Sequence, residues 1–261
     1  MTDATRVTVE LRKLGRALEV DEDRLAFLGS LPEQDLRALR GQVGEAMFQA
    51  DRPSLLRVAA LSKAIPVALA AKLSEAVLPP LIAARTSELL EPHRAAELVS
   101  RISPKYLADV SLYMDAARAP EVIAAIPADR VAEVAAELAK REEWIVIGSF
   151  VAQVDDDALR SSVARFDGEE LLRVGFVLDD VSRLDDIGGM LTDRQVDELL
   201  VAAAKFSLWD ELAELIANLS PVRVTRLAEH YAALDDDVRA VYEQARTSGD
   251  LSSDVLAKLT A

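Results

Sequence analysis

An apolar residue followed by a helix-capping residue or a proline recurs at intervals close to 12 residues along this chain. In "ISPKYLADVSLYMDAARAPEVIAAIPADRVAEVAAEL" (102–138), Ile102, Met114 and Ile126 open three successive phrases. With that residue as position one, positions six and nine are apolar. Ile102 is followed by Ser103-Pro104, Leu107 and Val110, and Ile126 by Pro127, Val131 and Val134. The same phrase starts at Leu31, Leu90, Leu191 and Leu219, and more loosely at Val154 and Phe166.

Each part of the phrase has a physical meaning. Ser, Thr or Asp ahead of a helix accepts hydrogen bonds from its unpaired N–H groups. Proline costs nothing in the first turn, where its missing donor would be unused. Apolar residues spaced by three and four form one stripe. A helix of about three turns with one stripe cannot bury itself alone; it must stack in series with its neighbours. The expected starts are Leu90, Ile102, Met114, Ile126, near Lys140, Val154, Phe166, Leu178, Leu191, near Phe206, Leu219 and Leu234. One helix takes 12 residues and one hairpin about 24. The expected fold is all-α: a right-handed α-solenoid, or superhelix, of short antiparallel helices. Leu107, Val131, Leu159, Val196 and Val224 are its expected core positions, with Val134 in the same core.

The phrasing changes before Leu90. Residues 6–18 and 33–50 read as longer amphipathic helices, so 1–52 is expected to form an N-terminal helical cap. Residues 53–261 then form the repeat superhelix, clearest over 90–245, in one continuous body. The stretch "LSKAIPVALAAKLSEAVLPPLIAA" (61–84) is apolar, but Lys63, Lys72 and Glu75 interrupt it and Pro66, Pro79 and Pro80 break it. Its uncharged runs are far short of the roughly 18 residues a span needs. Two or three short, deeply buried helices are expected there, with no membrane insertion. "WIVIGSFV" (144–151) is expected to be a buried helix in which Gly148 marks a tight contact.

Aromatic residues are only 5% of the chain, so the core must rest on Ala, Leu and Val. The net charge is −15, and residues 151–261 carry 23 acidic against 11 basic residues. Such a surface repels phosphate backbones, and nucleic acid is not an expected partner. The chain has no cysteine, and its first twenty residues lack an uninterrupted apolar run. A cytoplasmic protein without signal peptide or disulfide chemistry is expected.

"LEPHRAAELVSRIS", "IPADRVAEVAAEL" and "LTDRQVDELLVAAA" resemble the cytosolic N-terminal domain of MgtE-type magnesium transporters, over about 90–245. The resemblance implies a superhelix of short helices. In that family the superhelix precedes nucleotide-binding domains and a membrane pore, which these residues do not supply, so transport is not carried over. The family's Mg²⁺-linked acidic residues are not matched to positions here one by one, so none is carried over.

No motif indicates catalysis. "IGGM" (187–190) lacks the lysine and strand of a phosphate loop, and no nucleophile pairs with a base. An enzyme is not expected. Tyr106, Asp109 and Tyr113 share one helix and read as packing. His93 and His230 are too far apart in sequence, without cysteine, to suggest zinc. Asp155, Asp156 and Asp157, and Asp235, Asp236 and Asp237, could attract Mg²⁺ through carboxylate oxygens. They also stand at expected helix starts, where capping is the simpler role. No cofactor is otherwise expected. The leading expectation is a non-enzymatic binding or regulatory scaffold that docks a protein partner. The alternatives are a carrier or sensor of an apolar molecule near 60–90, with Lys63 and Lys72 anchoring a carboxylate, and a Mg²⁺-responsive regulator.

Overall fold

The structure, a computed structural model, describes residues 3–178 and 180–260, apart from the side chains of residues 3–6 and Lys63. The described residues form helices joined by short turns, with no strand among them. Packing divides the chain into two compact units, 1–130 and 131–261.

The first unit contains α1 (Asp3–Leu18), α2 (Glu33–Ala64), α3 (Val67–Val77), α4 (Pro80–Ser87), α5 (Pro92–Val99), α6 (Pro104–Ser111) and α7 (Pro120–Ala124). Helix α8 (Ala128–Ala139) contains the division. The second unit continues with α9 (Trp144–Phe150), α10 (Asp156–Val163), α11 (Gly168–Phe176), α12 (Arg183–Met190), α13 (Asp193–Phe206), α14 (Trp209–Asn218), α15 (Pro221–Ala232), α16 (Asp236–Ser248) and α17 (Ser253–Thr260). Turns of 3-10 helix occupy Glu22–Leu28 and Ala116–Arg118.

Nine of the expected starts lie two residues ahead of an observed one. Helical structure begins at Pro92, Pro104, Ala116, Ala128, Asp156, Gly168, Asp193, Pro221 and Asp236. The local chemistry explains this. Proline opens α4, α5, α6, α7 and α15. Asp155 accepts from the N–H of Ala158 at 2.7 Å. Asp167 with Glu170, and Thr192 with Gln195, form reciprocal capping boxes. Two of the slips occur where a non-glycine residue takes a left-handed conformation and lengthens the turn: Glu142 (φ 57°) ahead of α9 and Ser207 (φ 55°) ahead of α14.

Within each unit, helices pack on the helix two places further along. In the first unit α2, α4 and α6 form one such series, and α3, α5 and α7 another. In the second, α9, α11, α13, α15 and α17 form one series and α10, α12 and α14 the other. Trp144 and Gly168 open α9 and α11, 24 residues apart, so one step is one hairpin.

The helices are joined by a second recurring device. A side chain at the third position of a helix donates to carbonyls at the C-terminus of the helix three places earlier. Arg94 of α5 reaches Ser62 O (2.6 Å) and Ile65 O (2.7 Å) at the end of α2. Tyr106 of α6 donates its hydroxyl to Leu78 O, after α3, at 2.7 Å. Arg130 of α8 bonds Val99 O and Ile102 O after α5. Gln195 of α13 bonds Val163 O (2.8 Å) and Phe166 O (3.0 Å) after α10. Helix C-termini leave carbonyls unpaired, and an arginine there also complements the helix dipole.

The core is small-residue and aliphatic. Leu14 and Leu36 anchor the α1–α2 contact. In the second unit Leu172, Leu184, Leu199, Leu200, Leu212 and Tyr242 are fully buried. Tyr242 sits edge-on to Trp209 and Tyr231, each 5.1 Å between centroids. Leu107, Leu159 and Val196 are buried as expected, whereas Val131, Val134 and Val224 are half-buried. In those helices Ala132, Ala135 and Leu227 take the interior places. Gly148 does mark a close contact: an added methyl would stand 3.0 Å from Val177 O.

A further expectation is overturned. The short helices within 61–84 are not deeply buried. Helix α2 runs through Pro53 to Ala64, and α3 and α4 expose much of their apolar surface.

Candidate interaction surface

Helix α3 is short because prolines bound it. Pro66 is its N-cap residue, and Leu78-Pro79 ends it. Within "VALAAKLSEAV" only two side chains are fully buried. Ala70 and Ala71 are 3% and 2% exposed. Small side chains allow a close approach, and α5 is the helix packed on α3. Leu69, Leu73 and Val77 are 48%, 44% and 73% exposed. Their i, i+4, i+8 spacing puts them on one stripe. Leu69, Leu73 and Val77 therefore face outward together with Ala68 and Ala76, while Ala70 and Ala71 face inward.

The frame holding this helix is fixed at both ends. Arg94 ties the end of α2 to α5, and Tyr106 ties the end of α3 to α6. Ser103, the cap of α6, also bonds the carboxylate of Glu75 on α3. Burial, followed by the nearby charges of Glu75 and Asp109, raises the Tyr106 pKa above the ordinary phenol value. Its hydroxyl stays protonated and donates. Of the expected Tyr106, Asp109 and Tyr113 group, Tyr106 is thus committed to Leu78, while Tyr113 is partly exposed.

The neighbouring helices add exposed apolar side chains: Leu56 (44%) and Leu61 (69%) on α2, and Leu81 (37%) on α4. Scattered single apolar residues are normal on a surface; a stripe in register along one helix is the informative case. The charge pattern is equally uneven. From residue 52 to 74 the chain carries Arg52, Arg57, Lys63 and Lys72 and no Asp or Glu, in a molecule of net charge −15. That gap in acidic residues, coinciding with the apolar segment, is a sequence signal that could have singled out this surface.

Lys72 is exposed on α3, beside a stripe that is open to solvent rather than enclosed. The side chain of Lys63 lies outside the described residues. A cavity of about 10 Å³ lies in the second unit, lined by Leu191, Val196, Leu215 and Leu227 among others. It is about the size of one water molecule.

The acidic clusters are engaged as helix starts and ion pairs. Asp155 caps α10; Asp156 pairs with Arg183 at 3.0 Å, and Asp157 with Arg160 at 2.8 Å. Asp235 occupies the N-cap position of α16 without a side-chain cap bond, Asp236 pairs with Arg239, and Asp237 lies in the first turn. Among the described residues, no group of three His, Asp or Glu side chains is arranged to hold a metal ion. His93 lies near Glu97 at 3.4 Å, and His230 lies 2.7 Å from Asp197 and 3.5 Å from Asp193. Among the described residues, no helix is long and apolar enough to cross a membrane.

Compared with known proteins, the chain matches no family model, no curated protein sequence and no solved structure.

Proposed function

We propose that this protein is a non-enzymatic, cytoplasmic helical-repeat scaffold that docks a protein partner on the surface presented by α3. The observation that carries this reading is the outward stripe of Leu69, Leu73 and Val77 on a helix that buries only Ala70 and Ala71. Leaving these three apolar side chains exposed forgoes their burial in the isolated chain, and a partner would recover it. We include in this proposal a superhelix like the MgtE-type N-terminal domain, on the sequence phrases alone. Carriage of an apolar molecule at Lys63 and Lys72, and regulation by Mg²⁺, rank below docking because neither has an observation of this kind behind it.

The test is site-specific photo-crosslinking in the native host. A photoreactive residue at position 73 should give a covalent adduct with a protein. The same residue at position 160, an exposed position of α10, should not give that adduct. Absence of any position-73 protein adduct would remove the docking reading.

A further inference from the structure

Resting on that docking reading, we infer that the occupant of the α3 face is one acidic amphipathic helix of about three turns. In the first unit α5 packs on both α3 and α7. Helix α3 buries Ala70 and Ala71 and keeps the stripe of Leu69, Leu73 and Val77 exposed. A further helix laid on that stripe would continue the α3, α5, α7 series by the same packing. Leu69 to Val77 spans about 12 Å at 1.5 Å per residue, so a short helix covers it.

Charge selects the kind of helix. The 52–74 segment has four basic residues and no acidic one. Lys72 follows Leu69 by three residues and borders the stripe. An arriving helix with glutamates beside its apolar residues would meet Lys72 and gain attraction and orientation. A second copy of this chain docking face to face would oppose Lys72 to its own counterpart, which like charges disfavour. An anionic bilayer is opposed by the net charge of −15, and the stripe offers no Trp, Tyr or Phe to seat at an interface. The partner's charge acts only at contact, because salt screens the remaining acidic surface beyond about 8 Å.

The test uses the full chain and four probes. The first is a fluorescent synthetic helix with leucines at i, i+4 and i+8 bordered by glutamates. The second is its twin with lysines replacing the glutamates. The third is a vesicle of phosphatidylserine and phosphatidylcholine, and the fourth is the chain itself in sedimentation velocity. The glutamate helix should bind at least roughly tenfold more tightly than the lysine twin and weaken as salt rises. Leu73→Glu should abolish that binding. Lys72→Glu and Val77→Glu, at surface positions, should each weaken it while leaving the melting temperature unchanged. Equal binding of the twins, vesicle binding without peptide binding, or a dimer broken by Leu73→Glu would each overturn the inference. Failure of the glutamate helix to bind, alongside a position-73 protein adduct in cells, would reject the acidic helix and leave the docking reading standing. Loss of both would reject both.

Discussion

The side-chain amide of Gln195 and the backbone carbonyl of Val163 lie 2.8 Å apart, joining the first turn of α13 to the last residue of α10. The same amide reaches Phe166 O, and Gln195 also completes the capping box with Thr192. One buried side chain thus serves two helix ends.

Gln195→Ala should therefore cost about 2 kcal/mol, because it leaves carbonyls and an N–H without partners in a dry setting. Arg194→Ala, next to it, removes only an exposed pair with Glu198 and should cost less than about 0.5 kcal/mol. Urea unfolding of the two variants checks the difference. Equal losses would mean that the cross-helix bonds contribute nothing.

Two glycines should respond in opposite directions to alanine. At Gly168 an added methyl would stand 2.2 Å from Leu199 N and 2.3 Å from Glu198 C, both backbone atoms of α13. Gly168→Ala must push two helices apart and should destabilise by about 3 kcal/mol. Gly41, inside α2, has nothing within 4 Å of that point. Gly41→Ala should stabilise by up to about 1 kcal/mol through helix propensity. Thermal melts of both variants decide the matter.

Glu88 should leave a pH signature on stability. Its side chain is 1% exposed and sits 3.1 Å from Arg118 Nε and 3.9 Å from Arg85. Burial pushes its pKa from 4.5 to about 6, against the lowering effects of the Asp115 N–H, Arg85 and Arg118. The folded state thus holds the proton more tightly than the unfolded chain. The Glu88 contribution is fully present below pH 4.5 and is lost as pH rises through about 6. Its size is roughly 2 kcal/mol. In Glu88→Gln this component is absent, so the difference in unfolding free energy between the two proteins should change across that window and be flat on either side. A flat difference throughout would show that Glu88 keeps an ordinary pKa in the fold.

The two aspartate runs should separate on mutation. Asp155→Ala removes an observed cap and should cost about 1 kcal/mol. Asp235 makes no side-chain cap bond, and Asp235→Ala should cost less. Millimolar Mg²⁺ should raise the melting temperature no more than a monovalent salt of equal ionic strength. A saturable Mg²⁺ shift, lost when Asp155, Asp156 and Asp157 become Asn, would instead establish a cation site.

The sequence alone determined where most helices begin. Proline at N1, an aspartate or threonine cap and a three-to-four apolar spacing act within one turn of chain, so Pro104, Asp155 and Thr192 could be read without their surroundings. The start after Lys140 was harder to place, because Glu142 adopts a left-handed turn that no spacing rule anticipates. Burial was decided by tertiary structure. Leu69, Leu73 and Val77 have the pattern of a core stripe, yet they stay exposed while Ala70 and Ala71 of the same helix are buried. Val131 and Val224 likewise lost their interior places to Ala132 and Leu227. The bonds from Arg94, Tyr106, Arg130 and Gln195 to earlier helix ends join residues about 30 apart. A cap depends on its neighbours in the chain, whereas burial depends on which helix arrives from far along it.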